Sequence, residues 1–557
     1  MWARSHLLQF LLPLALALSS ALLFRDTVHI FETNVGLYHD ALWDFIPAVA
    51  MVRNESIARN YEVRNFHRYV PIVTSPYSGA TKVWALAPVV RIFPMTPRVI
   101  ITTNVILGFL YLLALYWALV PLVGRIWASA AFAVPFVDTN FLITTPIDVG
   151  ITITQYIFVS LALGAFFRYV SNPQLKYYRA ACFLFGCVLA QKLTAFPIVI
   201  ALMVVLTLVA FQHFMEAVRE SKVWRAISSY FLVPAALFLA PLVFQIMYFV
   251  RHGFSDLKAN TADGSWVPFF PAIRNNFAFF FTLFDGWDSY RRLTLDDRRE
   301  LIQTPYLAIF GLAVIALSLA IYFLSRKERK NGRNSALCFA VGALGFLLFP
   351  AFRGLYRPWH FFVLVPLFVC CVVTASCHVF RWLGGRRYAV FPRAVLGATL
   401  IFVVAASSSQ GLELLKELRS HKGVCISSPA FYDLYNSILR SKVKRVYAVN
   451  YSIAFPIYVF SKGRIRVVEL AWTQLTADRT EDLIRKVKAD PDSVIAYRQC
   501  GCKQSEPAWV EWLNRESELP GFIKRLGQEG GELNTVRFHD ARQTEFFLVS
   551  RKGRPIF

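Results

Sequence analysis

Residues 305–324 read PYLAIFGLAVIALSLAIYFL, and residues 325–333, which follow directly, read SRKERKNGR. A helix needs about 20 apolar residues to cross the hydrocarbon core of a bilayer, so the first stretch predicts a transmembrane helix. Short loops rich in Lys and Arg stay on the cytoplasmic side of a membrane. The second stretch therefore predicts on which side this helix ends.

Four more short basic segments separate long apolar runs, and alternation of the helices places all five segments on one side. Their basic residues are Arg125; Arg168, Lys176 and Arg179; Arg219, Lys222 and Arg225; Arg326, Lys327, Arg329, Lys330 and Arg333; and Arg381, Arg386 and Arg387. The positive-inside rule makes this side the cytoplasm. The pattern predicts a cytoplasmic N-terminus and, for an odd number of spans, an extracytoplasmic C-terminus.

Hydropathy along the chain predicts about eleven transmembrane helices. The predicted spans are 7–24, 99–123, 127–145, 149–167, 180–194, 196–213, 226–250, 305–324, 335–352, 359–380 and 389–406. The region 180–213 reads as one broken helix or as two, and two segments keep every basic loop on the cytoplasmic side. Long loops cross largely regardless of their charge, so 25–98 and 251–304 are predicted outside.

From about residue 409 the apolar runs shorten and charged residues become frequent. Patterns in this region predict strands at 444–450, 457–460, 464–470 and 493–497, and helices at 428–441, 478–489 and 507–518. Alternating strands and helices are typical of a small α/β domain. The predicted fold is a polytopic α-helical membrane domain over 1–408, followed by an extracytoplasmic α/β domain over 409–557.

Composition agrees with this class. The chain is 56% hydrophobic and 17% charged, whereas soluble domains carry about 25% charged residues. The formal net charge is +24. Topology explains much of this excess, and contact with anionic lipid head groups is a use for the basic residues of the long loops. Nucleic-acid binding is not predicted.

An acidic pair follows the first predicted span, in the segment Gly36-Leu-Tyr-His39-Asp40-Ala-Leu-Trp-Asp44. Residues four apart share a face of a helix, so both carboxylates are predicted to face one cavity. A carboxylate so placed can act as general base toward a hydroxyl. The alternative is a solvated acidic loop, which the surrounding aromatic residues disfavour.

Two more ionisable residues lie next to predicted transmembrane helices, close to the hydrocarbon core of the membrane. Asp148 lies between two spans and reads either as a functional residue or as the N-cap of the next helix. Lys192, at the interruption of the region 180–213, reads either as a phosphate-binding cation or as a lysine that snorkels to the interface.

Arg353, Arg357 and His360 fall in a short loop predicted to face outward, where the positive-inside rule disfavours arginine. Two arginines kept there indicate an anionic partner, since guanidinium grips phosphate in bidentate fashion. Lipid head groups are the alternative partner. A pocket with the carboxylates on one side and these cations on the other would suit transfer of a group away from a lipid phosphate.

At these residues the chain resembles the GT-C glycosyltransferases, in particular the bacterial protein-mannosyltransferase and aminoarabinose-transferase branch. The resemblance rests on the early acidic pair, on Pro76-Tyr-Ser-Gly-Ala-Thr-Lys82-Val-Trp84 and on Leu189-Ala-Gln-Lys192-Leu-Thr. It implies an inverting glycosyltransferase of the bacterial inner membrane, with a polyprenyl-phosphate sugar donor and an extracytoplasmic C-terminal domain. The acceptor would be a glycan, a lipid or a protein.

The resemblance also implies residue roles. Asp40 would be the catalytic carboxylate, with Asp44 as its substitute. Lys192, Arg353, Arg357 and His360 would bind the donor phosphate, and His39, Tyr77, Lys82 and Asp148 would bind substrate. The sequence does not establish any cofactor and is silent on a need for metal; a divalent cation shared by Asp40 and Asp148 stays an open alternative.

Two other functions fit parts of the pattern. A transporter or flippase of a lipid-linked anion would use the same cations, but its internal repeats and charges at mid-membrane depth are not seen in the sequence. A membrane-anchored binding module would place the function in 409–557, where no catalytic cluster is recognised. The glycosyltransferase is the predicted function.

Overall fold

A computed structural model gives the fold. It describes residues 2–35, 42–55, 61–65, 68–75, 78–148, 152–219, 223–252, 269–285, 304–325, 329–348, 358–384, 390–420, 430–449, 451–470, 485, 487, 489, 490, 492–500, 524, 528, 533–539 and 544–551.

The described helices are α1 (Trp2–Ile30), α2 (Phe45–Arg53), α3 (Thr81–Ile92), α4 (Pro97–Val123), α5 (Arg125–Ala128), α6 (Val134–Val137), α7 (Thr139–Ile147), α8 (Thr152–Ser171), α9 (Leu175–Gln191), α10 (Phe196–Arg219), α11 (Val223–Ile227), α12 (Val233–Leu239), α13 (Val243–His252), α14 (Phe269–Asp285), α15 (Tyr306–Leu324), α16 (Arg329–Leu348), α17 (Val365–Gly384), α18 (Val390–Ser420), α19 (Ala430–Arg440) and α20 (Tyr451–Phe460). The strands are β1 (Tyr61–Asn65), β2 (Arg68–Ser75), β3 (Ser78–Gly79), β4 (Arg445–Val449), β5 (Arg466–Leu470), β6 (Ser493–Cys500), β7 (Leu533–His539) and β8 (Thr544–Arg551).

Among the described residues, 8 helical stretches are long and apolar enough to cross a membrane. They are Leu7–Val35, Pro97–Val123, Thr152–Ser171, Leu193–Arg219, Val223–Arg251, Tyr306–Leu324, Phe361–Gly384 and Val390–Ser420. A ninth candidate is a bent pair, Arg125–Val137 with Thr139–Ile147, whose two halves meet at 74°. The protein is therefore an integral membrane protein built on a helical bundle.

Each of the eleven predicted spans contains helix in the part of it that the structure describes. Three of the predicted spans are not among the 8 helical stretches named above, and each differs for a local reason. The bent pair covers 127–145, and the helices at 180–194 and 335–352 are short in apolar length, as Leu175–Gln191 and Ala336–Leu348. Hydropathy located these segments because it reports burial in lipid or protein, but it does not report bends.

The region 180–213 forms two helices. Helix α9 ends at Gln191, and α10 begins at Phe196 after a single 3-10 turn. Between them Lys192 is extended, with φ −159° and ψ 116°. Its backbone pairs in antiparallel fashion with Ser78, so a residue of the first long loop is hydrogen-bonded to the break.

The first long loop holds more regular structure than its sequence indicated. The polar stretch 40–60 of this loop has a sequence that predicts a helix, and the described helix there is the shorter α2, which begins only after Asp44. Strands β1, β2 and β3 then form an antiparallel sheet, and α3 follows. The sequence pattern for strands is weak here, because no strict alternation marks the hairpin. Trp84 joins these parts, since its Nε1 donates to the carbonyl of Pro71 over 2.8 Å.

The C-terminal region is a mixed sheet of five strands in the order β5-β4-β6-β8-β7, with β4, β5 and β6 parallel and β8 antiparallel to β6 and β7. This confirms the predicted α/β fold. The predicted strand at 457–460 is wrong, since these residues end helix α20. A short apolar run cannot be told from a buried helix by its period alone. The predicted helices at 478–489 and 507–518 lie largely outside the described residues.

Helix α20 packs the C-terminal sheet against α2. The ring of Phe455 meets Trp43 edge-on, with centroids 5.8 Å apart. The Arg53 guanidinium donates to the carbonyl of Lys462 over 3.3 Å. Helix α18 continues through residue 408, the predicted domain boundary, to Ser420. The C-terminal domain thus contacts the segment that carries Asp44.

Candidate functional site

Four of the predicted site residues meet in one buried cluster, which we call the Lys82 cluster: Asp44, Lys82, Asp148 and Lys192. Their exposed fractions are 1%, 2%, 1% and 2%, respectively. Lys82 is at the centre. Its Nζ lies 3.4 Å from Oδ2 of Asp44 and forms a short ion pair with Oδ2 of Asp148.

Lys82 is the second residue of α3. A cation at this end of a helix is unfavourable, because the exposed backbone N–H groups already carry partial positive charge. Burial adds a desolvation cost that by itself would lower the pKa of Lys82. The carboxylates of Asp148 and Asp44 outweigh this desolvation, so the pKa of Lys82 is raised and the side chain stays an ammonium.

Asp148 is fixed by the backbone around it. It ends α7 in the left-handed region, with φ 40° and ψ 56°. Its Oδ1 accepts from the backbone N–H groups of Thr152 and Ile153, both at 2.9 Å. The carboxylate therefore caps the start of α8 and also pairs with Lys82. These contacts agree with the interpretation as a cap of the next helix, and the functional interpretation stays a prediction.

Asp44 precedes α2 but makes no cap bond to that helix. The helical face predicted to be shared with Asp40 stays a prediction, because Asp40 lies outside the described residues. Burial raises the pKa of Asp44 to about 6, while the charge of Lys82 opposes this rise. The interpretation as a solvated loop is wrong for Asp44, since this side chain is almost fully buried.

Lys192 stands at the break between α9 and α10. Its carbonyl accepts from Nε2 of Gln155 at 3.4 Å, and its charge lowers the pKa of Asp44. A lysine that snorkels would expose its ammonium to water, whereas Lys192 is buried. The snorkelling interpretation is therefore wrong, and a second cation lies within electrostatic reach of Asp44.

Uncharged polar side chains come from elements that meet at this break. Gln245 Nε2 donates to the carbonyl of Ala190 over 2.8 Å, and Gly79 approaches that carbonyl so closely that a Cβ would lie 2.1 Å from it. Within the described part of the chain, the buried side-chain atoms without a hydrogen-bond partner include Ser78 Oγ, both polar atoms of Gln191, Thr194 Oγ1 and Gln245 Oε1. Buried groups of this kind need hydrogen bonds from water or from a bound molecule. They give the surroundings of the Lys82 cluster capacity to bind hydroxyl groups.

Other predicted site residues cannot be placed. His39, Asp40, Tyr77, Arg353 and Arg357 lie outside the described residues, as does the side chain of His360. The predicted pocket between Asp40 and Arg357 stays a prediction. Gln155, Gln245 and Ser78 were missed, because neutral polar residues on separate segments give no spacing signal.

The divalent cation predicted to be shared by Asp40 and Asp148 stays a prediction, because Asp40 lies outside the described residues. No group of three or more His, Cys, Asp or Glu that could hold a metal occurs among the described residues. Both oxygens of Asp148 are engaged, one with Lys82 and one with backbone N–H groups. A cation shared with Asp148 would lie close to the ammonium of Lys82, and the like charges would repel each other.

No protein-family model matches the chain, and no curated protein matches it. Solved structures of an oligosaccharyltransferase from Archaeoglobus fulgidus are similar. The apo form aligns with TM-score 0.47 and 14% identity, covering 87% of this chain and 69% of that one. The complex of the archaeal oligosaccharyltransferase AglB with an inhibitory peptide and a dolichol-phosphate aligns with TM-score 0.45 and 12% identity, covering 87% of this chain and 69% of that one. The form tethered to an acceptor peptide aligns with TM-score 0.47 and 13% identity, covering 98% of this chain and 74% of that one. At these values the likeness assigns neither a family nor a residue role.

Proposed function

We propose that the protein is an integral membrane glycosyltransferase of GT-C architecture. It transfers a sugar from a polyprenyl-phosphate donor to a hydroxyl of a glycan, lipid or protein acceptor at the extracytoplasmic face. The observation that carries the proposal is the Lys82 cluster, in which two carboxylates and two ammonium groups are buried together. Intramembrane or near-membrane charge of this kind is costly and is kept where it has a function.

Under this proposal each member of the Lys82 cluster has a task. Asp44, with a pKa of about 6, is largely ionised at neutral pH yet more basic than an ordinary carboxylate, which suits a general base. Asp148, held by two backbone N–H groups, orients Lys82. Lys82 and Lys192 supply positive charge for the donor phosphate. Asp40 is a second candidate for the base.

The reaction then balances with these groups alone. The acceptor hydroxyl gives its proton to the carboxylate, and its oxygen forms a bond to the anomeric carbon of the sugar. The bond from that carbon to the phosphate oxygen breaks, and the electron pair leaves with the phosphate. The ammonium of Lys82 stabilises the negative charge that develops on the leaving phosphate. Because Lys82 moves toward the phosphate, it leaves Asp44 free to accept the proton. Attack opposite to the leaving phosphate inverts the anomeric centre.

The test uses purified protein in lipid nanodiscs with polyprenyl-phosphate donors that carry radiolabelled sugars. Appearance of the label in a new covalent product supports transfer, and Asp44→Asn should lower the rate about 100-fold or more. Asp433→Asn, an exposed aspartate of α19, is the matched control and should be fully active. Label that crosses vesicle membranes without entering a product would instead make the protein a transporter. Full activity of both Asp40→Asn and Asp44→Asn would remove the proposed base.

A further inference from the structure

A groove of about 770 Å³ runs between α1 and α4, formed by the last turns of α1 and the first turns of α4. None of its lining residues belongs to the Lys82 cluster. We propose that this groove binds a zwitterionic membrane phospholipid of the phosphatidylethanolamine type, with an acyl chain between the helices and the head group at the charged mouth. This inference stands apart from the proposed function.

The walls of the groove are apolar. Phe24 and Val28 line it from α1, and Val105 and Phe109 line it from α4. Ile106, which also lines the groove, is 55% exposed, so the groove opens on the outer surface of the bundle. The membrane supplies hydrocarbon at this depth of a spanning helix. The volume lies within the range of about 300–1,000 Å³ that is usual for small-molecule sites.

The mouth carries charge of both signs. The Arg25 guanidinium lies 3.1 Å from Oδ1 of Asp26, and Nε of Arg98 lies 3.9 Å from Oε2 of Glu32. The side chains of both arginines are 74% exposed. Exposed pairs of this kind contribute little in themselves, so a ligand that offers phosphate and ammonium together can replace them without loss.

Charge complementarity selects the occupant. The phosphate of a phosphoethanolamine head group can accept from guanidinium groups, and its ammonium can donate to Asp26 or Glu32. An anionic phospholipid would offer phosphate to the two arginines but no ammonium to Asp26 and Glu32. A polyprenyl phosphate would do the same, so the groove is not assigned to the donor lipid.

The experiment measures lipid retention. Full-length protein is equilibrated in nanodiscs of equal phosphatidylethanolamine and phosphatidylglycerol, extracted into detergent and analysed by mass spectrometry for bound lipid. We expect retained phosphatidylethanolamine in about tenfold excess, the ratio that a difference of about 1.4 kcal/mol produces. Ile106→Trp, which fills the groove, should abolish retention. Leu113→Trp on the same helix, 41% exposed and outside the groove lining, should leave retention unchanged.

A second pair of variants tests the head group. Substitution of both Arg25 and Arg98 by Gln should lower the ratio of the two lipids to about one, whereas Arg91→Gln, an exposed arginine of α3, should not change it. Thermal melts confirm that each variant is folded, and the arginine variants decide the matter if Ile106→Trp does not fold. Equal retention of the two lipids by the wild type would overturn the proposal. So would selectivity that survives the loss of both arginines.

Discussion

The two ends of helix α7 each carry a buried aspartate, and the two are held differently. Asp138 precedes the helix, and its Oδ1 accepts from the backbone N–H of Phe141 over 2.9 Å. Asp148 ends the helix, accepts from two backbone N–H groups and pairs with Lys82. Among the described residues no basic side chain forms an ion pair with Asp138. Burial and capping alone fit a structural role, whereas a cation and a second carboxylate at Asp148 fit a reactive site.

Removal of the shared cation should have the largest effect. Lys82→Met removes the cation that lies between the buried carboxylates of Asp44 and Asp148, a kind of loss that costs about 3–5 kcal/mol of stability in comparable cases. We expect a marked fall in melting temperature and a loss of glycosyl transfer of about 10³-fold. The double variant Lys82→Met/Asp148→Asn should regain stability but not activity. A single variant that stays folded and fully active would contradict the role given to Lys82.

Neutralising the two aspartates of α7 compares its ends directly. Asn tolerates the left-handed backbone of Asp148 and can still accept from the two N–H groups, so Asp148→Asn removes only the charge that Lys82 needs. Its rate should fall about 100-fold. Asp138→Asn should stay within about twofold of the wild type, because Asn is as good an N-cap as Asp. If the transfer rate fell equally in the two variants, both aspartates would have a structural role only.

The pH dependence should show a smaller effect with a defined sign. If Asp44 is the base, kcat/KM falls about tenfold per pH unit below about pH 6, the pKa that burial gives this carboxylate. The profile of Asp138→Asn should be the same as that of the wild type. An acid limb that persists in Asp44→Asn would assign the titration to another group.

Thermal melts over the same pH range separate this loss of rate from unfolding. The pKa of Asp44 is raised from 3.8 to about 6 in the folded protein, so the folded state binds more protons between these values. The contribution of Asp44 to stability is therefore fully present below 3.8 and is lost as pH rises through about 6. When the pH of the wild type is lowered from about 6 toward 3.8, this contribution should raise the melting temperature, while the rate of transfer falls.

Much of the fold could be predicted because membrane helices are a local property. An apolar run long enough to span the bilayer must satisfy its backbone hydrogen bonds internally, so it is a helix wherever it lies in the chain. The hairpin β1–β2 and helix α20 were missed or mistaken, since short segments depend on what they pack against. The same reason explains why Lys82 was named only through resemblance to a family of transferases, with no partner predicted for it.

The sequence by itself determined that the chain is a helical membrane protein with a mixed α/β region after it, and it singled out Asp44, Asp148 and Lys192 as unusual charges near hydrocarbon. Only the tertiary structure decided that these residues share Lys82. The four side chains come from the turn before α2, the start of α3, the end of α7 and the break between α9 and α10. Hydropathy and spacing describe each segment alone, whereas an ion pair depends on the distance between segments, which the packing of the helices sets.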